Sequence, residues 1–158
     1  MSAVGRSLLM LLALIPVVAI DGCKPTGAVP ASQQLVALSN MMAITAATNA
    51  YCVANGEAMP PDLQTVVTAG FLPASALNSP FGPVSDGGSD YWLSTSRQDI
   101  STSVYPSIEI LIYDRAMYED TEFVAVATYD NYSQIMTSGE FQQLMKRLDN
   151  RGVNFNLP

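Results

Sequence analysis

Asp86 and Asp90 bracket two glycines and a serine in the stretch DGGSD, and carboxylates at that spacing are candidate oxygen ligands for calcium. The stretch lacks the ligand number and closing glutamate of a calcium loop, so it reads as a glycine turn with solvated acids. A second group, Asp114, Glu119, Asp120 and Glu122, could hold a cation or a basic partner, or supply the carboxylate pair of a glycosidase. Nothing marks such a pair as buried or cleft-lining, and these acids read as an exposed hairpin loop. Histidine is absent, which removes Ser-His-Asp and Cys-His catalysis as usually built and the commonest metal ligand near neutral pH. The two cysteines, Cys23 and Cys52, cannot complete a four-ligand zinc site without histidine. Cys52 reads as a small core residue. Asn131 heads an Asn-Tyr-Ser sequon, which matters only for a chain made by a eukaryote. The expectation is therefore no catalytic residue, no metal ligand, no cofactor and no enzyme.

The totals point the same way. The chain has 158 residues, enough for one domain, of which 49% are apolar and 13% charged. Seven basic residues stand against fourteen acidic ones, and only Lys146 and Arg147 are adjacent. Nucleic acid is therefore not an expected partner, since phosphate neutralisation needs clustered cations.

The first 22 residues read as a signal segment. Arg6 precedes an apolar run over residues 8–20, shorter than the about 20 residues of a membrane span but suited to a signal-peptide core of about 7–15. Cys23 follows directly after Gly22. That order resembles a bacterial lipoprotein signal, in which the cysteine becomes the acylated first residue, so Cys23 is the expected lipid-attachment site. A Cys23–Cys52 disulfide in an oxidising compartment is the alternative. A second reading takes Gly5 and the run after it as a prepilin leader, although the glutamate of that signature would fall at Met10. Residues 23–31, with Pro25, Gly27 and Pro30, form a tether, because proline and glycine at that density end a helix.

Residues 32–158 are expected to form a single α+β domain. A long spine helix over residues 32–54, capped by Ser32, carries no charge, and such a helix is usually buried on more than one side. Met42 is thus expected in the core, with Ala47 and Ala50 offering a close-packing surface. Asn55-Gly56 stops the helix. Pro61 or Asp62 starts a short second helix with Leu63, Val66 and Val67 inward, after which Phe71 and Leu72 enter the core. A strand begins at residues 91–93. SIEILIYD should alternate, with Ile108, Ile110 and Ile112 on one face and Glu109, Leu111 and Tyr113 on the other. TEFVAVATYD puts Val124 and Val126 opposite Phe123, Ala125 and Ala127. The two pair as a hairpin across RAMYED. Apolar groups on both faces call for cover on both. Thr137 and Glu140 make a capping box for a C-terminal amphipathic helix with Phe141, Leu144, Met145 and Leu148 on one face. VNFNLP is a candidate edge strand.

The middle of the chain also resembles a known arrangement. Tyr51, Gly56, Pro60, Leu63, Gly70, Phe71, Leu72, Pro80, Phe81, Gly82, Tyr91 and Trp92 stand in the order and at the intervals of type IV pilin-like proteins, in particular the major pseudopilins of type II secretion systems. The resemblance covers residues 33–93. It implies a spine helix packed on a small antiparallel sheet, and a structural or assembly role in a secretion or pilus-type system. Export to the cell envelope, membrane anchoring and contact with other pilin-like subunits go with it. The alternative is a lipid-anchored envelope lipoprotein that binds another partner.

Overall fold

The computed structural model describes residues 28–94, 106 and 109–149. The signal segment, Cys23, most of the tether, Ile108 and the VNFNLP segment lie outside these residues.

The fold is α+β. Helix α1 (Ala31–Ala54) is followed by α2 (Leu63–Thr68), a 3-10 turn (Ala74–Leu77), β1 (Tyr91–Leu93), β2 (Ile110–Asp114), α3 (Arg115–Asp120), β3 (Phe123–Thr128), β4 (Ser133–Thr137) and α4 (Ser138–Asp149). The strands form one antiparallel sheet in the order β1-β2-β3-β4. Helix α1 packs on one face of it, where Met41 and Ile44 meet Tyr91, Leu111, Ile112, Ala125 and Ala127. Helix α4 covers the other face, where Phe141 and Met145 meet Ile110, Tyr113, Val124 and Val126. The sheet is therefore an apolar layer between helices, which is why its strands carry hydrophobic groups on both faces.

Each element starts for a local reason. Helix α1 begins after Pro30, with no side-chain cap, rather than at a Ser32 cap; proline pre-sets the backbone and has no N–H to leave unpaired. It ends where Gly56 takes φ 67° and Asn55 Nδ2 donates to the Tyr51 carbonyl at 2.7 Å. Asp62 caps α2, accepting from the Thr65 amide at 2.7 Å and hydroxyl at 2.8 Å. The capping box at α4 forms as expected: Thr137 N donates to Glu140 Oε2 at 2.9 Å and Glu140 N to Thr137 Oγ1 at 3.2 Å.

Five expectations need correction. Met42 is not core: it is 62% exposed while its neighbour Met41 is fully buried, because successive helical residues point about 100° apart and only one side of α1 meets the sheet. Ala50 is exposed but Ala47 faces the core. Phe71 stays 38% exposed, its ring edge-on to Tyr51 at 6.0 Å, so Leu72 alone enters the core. The alternation in β2 breaks at a register shift between Ile110 and Ile112. Leu111 and Ile112 then both serve the α1 side, while Ile110 and Tyr113 serve the α4 side, as an extra residue in one strand requires. RAMYED, finally, is not a loop but helix α3, capped by Asp114, which accepts from the Met117 amide at 2.9 Å.

Candidate functional site

Two features stand apart from ordinary core and surface: the outer side of α1, and a polar junction at the far end of β1 and β2.

The outer side of α1 is apolar and uncharged. Leu35 is 68% exposed, Val36 47%, Met42 62% and Val53 79%, with exposed Ser39, Ala43, Ala46 and Ala50 between them. Leu35, Ser39, Met42, Ala46, Ala50 and Val53 recur every three or four residues, which places them along one stripe. The buried polar residues of α1 do not disturb this division. Thr45 and Thr48 donate their hydroxyls back to the Met41 and Ile44 carbonyls, each at 2.8 Å, so neither brings an unmet polar group to the sheet. Nothing on the stripe can transfer a proton or hold an ion. Its available chemistry is burial of apolar surface against another molecule.

The polar junction gathers the acids singled out in the sequence and sorts them by environment. Asp86 remains in water, ion-paired to Arg115 Nη2 at 2.6 Å, and that guanidinium holds its carboxyl below the ordinary range. Arg115 also donates to the Ser89 carbonyl at 3.1 Å and lies 3.9 Å from Glu119. Asp90 is not a solvated acid: partly buried, it accepts from the Ser79 amide at 2.9 Å and the Val84 amide at 3.3 Å, closing the turn from within. Asp114 departs furthest from the expected exposed loop acid. It is fully buried and takes the Ser79 hydroxyl between its oxygens at 3.0 and 2.9 Å. Burial pushes its carboxyl up to about 6, with the charge of Asp90 adding to the rise, against the lowering effect of the Met117 amide and Ser79 hydroxyl. The Tyr91 phenol beside them accepts from Asn40 Nδ2 at 3.1 Å and is raised well above its ordinary range, chiefly by burial. Asn40 also donates to the Asn78 carbonyl at 3.1 Å, so the junction is tied to the middle of α1.

These acids do not converge on a metal-binding geometry: among the described residues no group of three or more candidate ligands faces one point. Asp120 and Glu122 are exposed and apart from the junction. A groove of about 520 Å³ runs beside the junction, with Asp62, Gln64, Asn78, Asp90, Trp92 and Arg115 in its lining. Asp62, Asp90 and Arg115 are already committed to intramolecular bonds. Cys52 is fully buried, its Sγ 3.8 Å from the Met59 sulfur. No described helix is long and apolar enough to cross a membrane.

The sequence flagged Asp86, Asp90 and Asp114 but not their connection. Ser79 joins Asp90 to Asp114, while Arg115 holds Asp86, and the signal available for Ser79 was only its place before Pro80 in the turn-rich stretch. No family model matches this chain, and no curated protein or solved structure resembles it at a significant level.

Proposed function

We propose that this chain is a non-enzymatic envelope protein, exported and anchored through its N-terminal segment, whose pilin-like domain assembles with other subunits through α1. The observation that carries the reading is the stripe of exposed, uncharged residues on α1, from Leu35 to Val53. A soluble surface helix normally carries charge on its outward side; from Pro25 to Gly56 this chain has none. The layout of a long helix laid across an antiparallel sheet, with a short helix after a glycine stop, agrees with the architecture that the resemblance implies. Lipid attachment at Cys23 supplies the anchor in this reading, and a prepilin-type cut after Gly5 is the other route to the membrane.

Two measurements test it. Intact mass of the membrane-extracted protein should give an acylated N-terminus at Cys23; a start just after Gly5 would assign a prepilin instead, and an uncut chain from Met1 would remove the export step. Chemical crosslinking of the native assembly should fail for Met42→Lys and Ala46→Glu while both variants keep the wild-type circular dichroism spectrum. Unchanged crosslinking in both would remove α1 as the contact.

A further inference from the structure

We propose that Ser79, Asp90 and Asp114 form a pH-sensitive latch that holds segment 79–90 against the sheet more firmly in acid than at neutral pH.

The argument begins with geometry. Two carboxylates grip the same residue from two sides: Asp90 takes the Ser79 amide and Asp114 takes its hydroxyl. Asp114 is fully buried, at the joint where β2 passes into α3. Its charge has little to balance it. The guanidinium next in sequence, Arg115, is engaged outward by Asp86 and the Ser89 carbonyl, with Glu119 further off. From β1 comes the Tyr91 phenol, which is neutral. From the turn comes Asp90, which is repulsive. Helix α3 offers the backbone amides of Met117 and Ala116. An ionised Asp114 therefore has hydrogen bonds but no paired cation, and a buried carboxylate in that position favours its neutral form.

The neutral form fits the same partners. The unprotonated oxygen still accepts from the Met117 amide and the Ser79 hydroxyl, and the carboxyl O–H on the other oxygen can donate back to Ser79 Oγ, so no donor is stranded. Protonation thus removes the repulsion with Asp90 without opening the joint. The direction follows from linkage. The folded carboxyl sits at about 6 against an ordinary 3.8, so this contribution is complete below the ordinary value and is lost as pH rises through about 6. The lowered carboxyls of Asp62, Asp86 and Glu140 act in the opposite sense, but on acidification below their ordinary range, so the two effects occupy different pH windows. The latch also reaches α1, since Asn40 bridges the Asn78 carbonyl and the Tyr91 phenol.

The test is hydrogen exchange on the full chain, followed by NMR at about pH 5 and about pH 7.5 and corrected for intrinsic rates. Protection of the Ser79 and Val84 amides should fall about tenfold toward neutral pH, the full change that a shift from 3.8 to about 6 allows between these two pH values, and Asp114→Asn, which keeps the cap and the shape, should hold it at the acid level. Flat protection in the unmodified protein overturns the latch, as does an unchanged fall in Asp114→Asn. Should that variant fail to fold, the carboxyl carbon of Asp114 in the unmodified protein decides. A midpoint near 6 that drops in Asp90→Asn supports the latch, and a midpoint in the ordinary carboxylate range overturns it.

Discussion

Met41 and Met42 are adjacent on α1 and should respond to truncation in opposite ways. Met41 is fully buried against the sheet and Met42 is 62% exposed. Met41→Ala removes three side-chain heavy atoms from a packed site. At about 0.8 kcal/mol for each methylene-sized group, transfer alone accounts for about 2.4 kcal/mol. The residual cavity adds to this, because Ile44 and Ala37 on the same helix and Tyr91 and Leu111 on the sheet are held by their own contacts; the total falls within the about 2–5 kcal/mol typical of such changes. Against a domain stability of about 5–15 kcal/mol that loss is easily measured. Met42→Ala should stay within about 0.5 kcal/mol of wild type. Urea unfolding followed by circular dichroism reads both, with the slope unchanged so that the midpoint shift reports stability. Lysine sharpens the contrast: at position 42 its stem lies along the helix with the ammonium in water, while at position 41 it buries an unpaired charge and unfolds the domain. Equal losses at both positions would refute the assignment of one buried and one open side to α1.

Three further outcomes follow from the same geometry. Phe141→Ala should cost about 3–5 kcal/mol in urea unfolding, since its ring is fully buried among Tyr113, Tyr118 and the β3 valines; a loss under about 1 kcal/mol would mean α4 does not cover the sheet. Asp62→Ala should remove the cap of α2 and cost about 0.5–2 kcal/mol, and the difference from wild type should shrink as pH falls below the carboxyl's ordinary value, because the Thr65 hydroxyl and amide favour the ionised form. Chelator should leave the melting temperature unchanged; a drop reversed by calcium would assign an ion to the turn around Asp86 and Asp90.

Most of the fold was legible where a rule is local. The glycine stop at Gly56, the capping box of Thr137 and Glu140 and the division of β3 into Val124/Val126 and Ala125/Ala127 faces each depend on neighbours within a few residues, and each stands as read. What failed depended on partners far along the chain. The uncharged run of α1 is the same whether one side or two are covered, so spacing could not separate Met41 from Met42. The β2 bulge is set by its register against β3, which no pattern within SIEILIYD encodes. RAMYED looked like a loop because it lies between two alternating segments that pair as a hairpin, yet Ala116 and Met117 are buried and Asp114 supplies the cap.

Asp114 is the instructive case, because one side chain does two jobs that call for different protonation states. As a cap for α3 it accepts the Met117 amide, a bond that strengthens when the carboxyl is charged. As a buried neighbour of Asp90 it favours being neutral. Asparagine could cap equally well and would remove the conflict, so the carboxylate is not required by either the cap or the packing. Its distinct property is the ability to change charge inside a joint that also holds Ser79 and, through Tyr91 and Asn40, the middle of α1. The opposite side of that helix is the open apolar stripe. If the two are coupled, Asp114→Asn should remove the pH dependence of subunit crosslinking as well as that of Ser79 protection. Crosslinking that keeps its pH dependence in this variant would separate the latch from the assembly surface and leave each to stand on its own evidence.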